Sequence, residues 1–211
     1  MRTGAPTRAE LAALARRDPL LGAAMRRVAP YPGFPSGHEH PADSHFHALA
    51  RAVVHQMLSG KAAATIHERL RRTTPGPRFP TAEQLLALEP AVLRGAGLSN
   101  AKVAALRDLA ARTLSGELPL RRLARMSDAD VLAHVTAVRG LGEWTAQMFL
   151  LFRLGRLDVL PAHDLGVQEG LRRLDGLGER PKPKELLARA EVWRPLRSVG
   201  TWVMWRLCDA E

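Results

Sequence analysis

The chain has 211 residues, enough for one large domain or two small ones packed closely, and its 46% of apolar side chains is ordinary for a protein that buries a core. Lys and Arg number 31 against 21 Asp and Glu, leaving a formal charge of +10. Such an excess favours a polyanionic partner such as nucleic acid, although lysine stands only at positions 61, 102, 182 and 184 and an arginine-rich coding bias explains the charge as well. No apolar run approaches the ~20 residues that span a bilayer. The opening MRTGAPTRAELAALARR lacks an export signal's apolar stretch and cleavage site, so neither a membrane nor a secreted location is expected. The single cysteine, Cys208, excludes an internal disulfide, fits a reducing cytoplasm, and cannot hold a four-cysteine iron–sulfur cluster.

Apolar residues recur at three and four through nearly every segment, with no sustained alternation, so the chain is expected to be all-α. Asp18-Pro19 predicts a helix start, a capping carboxylate followed by a first-turn proline. The segments 29–42 and 74–80 are rich in Pro and Gly and read as loops. His38, His40, His45 and His47 cluster in and just after the first of these segments without the paired spacing of a zinc site, and are expected to be surface loop histidines. Ser44 precedes the apolar FHALARAVVHQML, and Ser59-Gly60 breaks that run and starts KAAATIHERLRR. Thr81 and Ser127 each stand before acidic residues and an apolar repeat. Pro90 opens a short helix that Gly95 and Gly97 end, and Ser99 starts AKVAALRDLAARTL. The helices group into two lobes, one of 81–172 and the other of 1–80 with 173–211.

The most informative stretch is VLAHVTAVRGLGEWTAQMFLLFRL, residues 131–154. A helix ends near Val138, Gly140-Leu141-Gly142 turns sharply, and a second helix begins around Glu143. Glycines on both sides of one apolar residue permit positive φ and bare the backbone. The first turn of the second helix then offers unpaired N–H groups, a site for a DNA phosphate that reads no sequence. Gly140, Gly142 and Thr145 are the candidate DNA contacts. Further on, Pro161 ends an extended loop and Asp164 sits where an apolar helix begins, a position that by itself reads as an N-cap.

Four blocks in order, VVHQMLSGKAAATI, GLSNAKVAALRDLA, VRGLGEWTAQMFL continuing to LDVLPAHDLGVQEGL, and WRPLRSVGTWVMWR, resemble the helix-hairpin-helix superfamily of base-excision DNA glycosylases, and within it the DNA-3-methyladenine glycosylase II branch. The likeness runs from about Ser44 to Cys208. It implies a compact form without the β-rich N-terminal domain of larger relatives, with an active-site cleft between two helical lobes. It implies that Asp164 is the catalytic carboxylate. Breaking the bond from base to sugar develops oxocarbenium character, which a nearby anion stabilises, and the same group can activate the attacking water. The start of a helix favours the anionic form. An alkylated purine already carries positive charge and leaves readily.

The resemblance assigns further positions. Where bifunctional relatives carry a Schiff-base lysine, this chain has Trp144, so a monofunctional enzyme that leaves an abasic site is expected. Gln56 and Met57 match the turn that enters the minor groove, Met57 as an apolar wedge filling the space of the extruded nucleotide. Trp144 and Trp205 match aromatic pocket positions, with Met148 where a ring often stands and Gln56 beside them. A cationic base stacked on indole gains ~0.5–2 kcal/mol of cation–π attraction. His163 faces either the base or water, and Trp193 and Trp202 are expected in core packing. Carbonyls of Thr136, Val138 and Leu141 match positions that hold a monovalent cation, Na⁺ or K⁺, as an aid to DNA binding. The chemistry itself is expected to need no cofactor. The expected partner is double-stranded DNA with damaged bases, bound by a monomer associated with the nucleoid. A non-catalytic DNA-binding protein, or a glycosylase for another lesion class, remain alternatives.

Overall fold

The computed structural model describes residues 3–34 and 44–209. Twelve α-helices follow one another through these residues, and among them no sheet forms; only two isolated bridges pair extended backbone, Thr3 with Arg156 and Gly4 with Phe34. The all-α expectation is met. In most helices a short polar side chain accepts an N–H of the first turn that has no acceptor within the helix. Asp18 does this for α2 (Pro19–Arg27), Ser44 for α3 (His45–His55), Ser59 for α4 (Gly60–Arg71) and Thr81 for α5 (Ala82–Ala87). Ser99 caps α7 (Asn100–Ser115), Ser127 caps α8 (Asp128–Thr136) and Asp164 caps α10 (Leu165–Asp175). α6 (Pro90–Gly95) and α11 (Pro183–Arg189) open on proline, and α9 (Glu143–Met148) follows Gly142. α1 (Arg8–Arg17) has a reciprocal capping box between Thr7 and Glu10, and α12 (Arg197–Asp209) closes the series. His45 and His47 belong to the first turn of α3, not to a loop, while His38 and His40 lie outside the described residues. Among the described residues no three His, Cys, Asp or Glu side chains converge as metal ligands.

The chain divides into two compact units, Met1–Glu39 with Leu150–Glu211, and His40–Phe149. The terminal unit holds α1, α2 and α10–α12 around Leu14, Leu21, Leu171, Leu186, Trp193 and Met204. Its internal polar anchor is Asp18, 4% exposed, which accepts bonds from the Leu21 N–H (3.1 Å), Arg189 (2.7 Å) and the Trp193 indole (2.7 Å). Burial alone would raise this carboxyl's pKa, but the three donors and the Arg189 charge outweigh it and hold the group below its ordinary range. Trp193 is fully buried, as expected of a core residue, and Trp202 packs edge-on against Tyr31 and Phe34.

The central unit is organised on α7, which packs against α3, α5 and α6, with α8 against α9. These boundaries differ from the expected lobes at both joints. Residues 44–80 go with the hairpin because α3 lies on α7, and α10 goes with the chain ends because it lies on α12 and α2.

Candidate active site

In the terminal unit, α10 and α12 cross closely because glycines stand at the contact. A Cβ on Gly170 would lie 2.3 Å from the Met204 carbonyl oxygen, and one on Gly166 would lie 3.0 Å from Trp205 Cδ1 and 3.1 Å from Asp164 Oδ1. These glycines, four apart, share one helix face. The crossing brings the Trp205 indole to the start of α10, where its Nε1–H donates to Asp164 Oδ1 at 3.0 Å. The same oxygen accepts the Val167 N–H at 2.9 Å, the N-cap bond. Behind the carboxylate, Gln168 donates to the Ala162 carbonyl at 2.8 Å, and the Asp164 N–H closes a turn on Pro161 at 2.9 Å. One face of Trp205 stacks on Phe152, with centroids 5.8 Å apart and planes within 15°, and Phe152 meets Phe34 edge-on at 4.8 Å. Thus Asp164 is both an N-cap and a carboxylate aligned by an indole, in a half-buried position. His163 is exposed to solvent. Cys208 donates to the Gly166 carbonyl and its burial raises the thiol pKa, which argues against a nucleophilic role.

In the central unit, α8 ends at Thr136, two residues before the expected end, and α9 starts at Glu143 as expected. Only Gly140 of the two hairpin glycines adopts positive φ (77°); Gly142 is extended (φ −90°, ψ 175°) and precedes α9 as its N-cap. Gly140 also permits close packing, since a Cβ there would lie 3.2 Å from Ala105 Cβ. Asp108, one turn further along α7, accepts the Arg139 N–H at 2.8 Å and Arg112 Nε at 3.0 Å. Burial works against its charge, but these bonds prevail and its pKa lies below the ordinary value. The Gln56 side chain donates to the Gly140 carbonyl at 2.9 Å, which directs its amide onto the hairpin backbone. Met57 is fully exposed, at 100%, with φ 54°. That conformation costs a non-glycine residue ~1–2 kcal/mol.

Trp144, the second residue of α9, is half exposed, and Met148 at its end is half buried. Thr145 is 6% exposed, so its expected DNA contact is restricted to main-chain N–H; the side chain faces the packing side of the helix. Val138 O accepts the Leu141 N–H at 3.1 Å and retains a second lone pair. Sequence reading missed Asp108, Gly166, Gln168 and Phe152. Of these only the Gly-x-x-x-Gly spacing at 166 and 170 carried a signal, that of closely crossing helices.

A family model described as HhH-GPD superfamily base excision DNA repair protein matches residues 50–195, more than half of the chain. The chain belongs to this superfamily. Within the HhH-GPD proteins, DNA-3-methyladenine glycosylase 1 of Schizosaccharomyces pombe is 34% identical over 162 residues, 76% of this chain and 71% of the relative. A DNA-3-methyladenine glycosidase from Bacillus halodurans has a crystal structure that superposes with a TM-score of 0.85 at 30% identity, covering 100% of this chain and 94% of that one. The Schizosaccharomyces pombe 3-methyladenine DNA glycosylase, solved in complex with abasic DNA, gives 0.74 at 29% identity over 93% of each chain. No helix among the described residues is long and apolar enough to cross a membrane.

Proposed function

We propose that this HhH-GPD protein is a monofunctional DNA glycosylase that releases alkylated purines of the 3-methyladenine and 7-methylguanine type and leaves an abasic site. The observation that carries the reading is the Asp164 carboxylate, held at the mouth of α10 by the Val167 N–H and the Trp205 indole. In this reading the C1′–N bond of the extruded nucleotide breaks, and its electron pair departs with the base, which leaves neutral because alkylation had made it cationic. Asp164 stabilises the positive charge left on the sugar, then takes a proton from the water whose oxygen bonds to C1′. Two donors on one carboxylate oxygen fix the orientation of the group before substrate arrives, which is the form of preorganisation that costs nothing at the reacting step.

The supporting roles follow the same chemistry. Trp144 and Trp205 are each read as an indole that attracts a cationic base, and Met148 as a side chain that would leave more room than a ring. Met57 occupies the gap in the duplex, a role that its full exposure and αL backbone support. Gly140, Gly142 and the Thr145 main chain meet a phosphate, and a monovalent cation held by the Thr136, Val138 and Leu141 carbonyls would add positive charge there. The position of Trp144 where a lysine would serve a Schiff base supports hydrolysis without strand cleavage. The protein is taken to act as a monomer in the cytoplasm. The deciding experiment incubates purified protein and its Asp164→Asn variant with duplexes carrying single defined lesions, followed by alkali cleavage of abasic sites. Base release by the wild type, lost in the variant while DNA binding persists, is the expected result. Equal release by both would overturn the assignment.

A further inference from the structure

The turn that carries Met57 is held by a lysine of another helix. α3 ends at His55, so the last carbonyls of that helix lack intrahelical partners. Lys102, in the first turn of α7, reaches across and donates from Nζ to the Val54 carbonyl at 2.8 Å and to the Gln56 carbonyl at 2.7 Å. A lysine in the first turn of its own helix is electrostatically misplaced, since that end carries partial positive charge. At the C-terminus of α3, by contrast, an ammonium meets partial negative charge and two unsatisfied acceptors. Lysine is used here in a chain that has only four, and the compact ammonium fits between carbonyls two residues apart.

The next row of α7 completes the arrangement. Positions 102, 105 and 108 follow one another at a spacing of three along the helix. Ala105 lies under Gly140, and Asp108 holds the Arg139 N–H. Gln56 closes the loop by donating to the Gly140 carbonyl. Turn 56–58 and the hairpin are therefore both fixed to α7, and to each other.

We propose that Lys102 is a positioning residue for base extrusion: by gripping the Val54 and Gln56 carbonyls it holds Met57 in its left-handed, outward conformation. The inference rests on the reading of Met57 as the wedge. Without the ammonium, the turn relaxes toward φ values that an L-residue prefers, and the side chain is no longer presented in advance. A misplacement of about 1 Å can cost about a hundredfold in rate, so a ten- to hundredfold slower base release is expected of Lys102→Met.

The test uses the full chain and a duplex with a tetrahydrofuran abasic analogue beside 2-aminopurine, whose fluorescence rises when the wedge unstacks it. Met57→Ala should lose most of that rise, Lys102→Met should lose a similar share, Lys102→Arg should recover part of it, and Lys102→Met combined with Met57→Ala should match Met57→Ala alone. A Lys102→Met protein with the full fluorescence rise overturns the proposal, and so does a double variant in which the two losses multiply. If Met57→Ala itself keeps the full rise, the wedge reading fails, a result distinct from either. Should Lys102→Met not fold, the same cycle is run with Lys102→Gln, which keeps one neutral donor and should show a smaller loss that again vanishes in the Met57→Ala background.

Discussion

Replacing Gly170 by alanine should damage stability and activity together, and the geometry sets the scale. The added methyl would sit 2.3 Å from the Met204 carbonyl oxygen, 2.5 Å from its Cα and 2.6 Å from its carbonyl carbon. All three atoms are main chain, so no rotamer change relieves the overlap, and α10 and α12 must part by about 1 Å to restore van der Waals distance. Overpacking of this kind costs ~1–3 kcal/mol, and the backbone obstacle places it at the upper end. For a chain of this size that lowers Tm by roughly 6–12 °C. Asp164 begins α10 and Trp205 follows Met204, so the same separation stretches the 3.0 Å indole–carboxylate bond beyond hydrogen-bond range. Single-turnover base release should therefore fall further than the fraction of folded protein explains, measured well below the variant's Tm. Gly178→Ala serves as the control, since a Cβ there meets nothing within 4 Å. If Gly170→Ala melts within a degree of the wild type and releases base at the same rate, the close-crossing account of the site is wrong.

Removing the Asp164 charge by Asp164→Asn should lower base release about a thousandfold, the scale of losing a preorganised electrostatic group, with the DNA dissociation constant nearly unchanged by fluorescence anisotropy. Sodium borohydride should trap no covalent adduct with damaged DNA, because Trp144 stands where the amine would be; efficient trapping on a denaturing gel refutes monofunctional chemistry. Asp18→Ala should destabilise by ~3–5 kcal/mol in urea unfolding, because Arg189 and the Trp193 indole lose a buried acceptor. The folded pKa of Asp18 is depressed, so its contribution is complete above the ordinary carboxyl value near 4. That contribution declines as pH falls through the lower folded value. The stability gap between wild type and Asp18→Ala should accordingly narrow in acid, and a gap constant from pH 7 to pH 2 would contradict the carboxylate account.

The helix starts were legible because capping is local: Asp18, Ser44, Ser59, Thr81, Ser99, Ser127 and Asp164 each announce themselves within four residues of sequence. α1 is not among the expected helices, although Thr7 and Glu10 form a reciprocal box at its start. The hairpin was legible for a similar reason, but not the division of labour between its glycines, because φ at position 142 depends on how α9 is approached and not on residue type alone. The two units were misdrawn. Nothing local tells that α3 lies on α7 or α10 on α12; those are long-range packings decided by which apolar faces fit. Asp108 and Lys102 escaped notice because each acts on backbone far away in sequence, 31 residues for Asp108 and 46 to 48 for Lys102.

That last pair explains why a rigid helix suits this task better than a longer loop would. In the proposed function the hairpin meets a phosphate and the Met57 turn enters the duplex, and the two would be useful only at a set spacing, because the duplex has a set spacing of its own. If each were positioned by its own segment, thermal drift of the two would add, and ordering them would have to be met from binding energy at the moment of contact. With Lys102, Ala105 and Asp108 on one rail of α7, the main-chain carbonyls of one turn and the N–H of the other are referred to the same sixteen-residue helix. The Gln56 amide then links the two turns directly. The strained φ of Met57 is tolerated because the Val54 and Gln56 carbonyls on the approach to it are engaged by Lys102, so relaxing the one residue would break charge-assisted bonds worth more than the ~1–2 kcal/mol of strain it relieves.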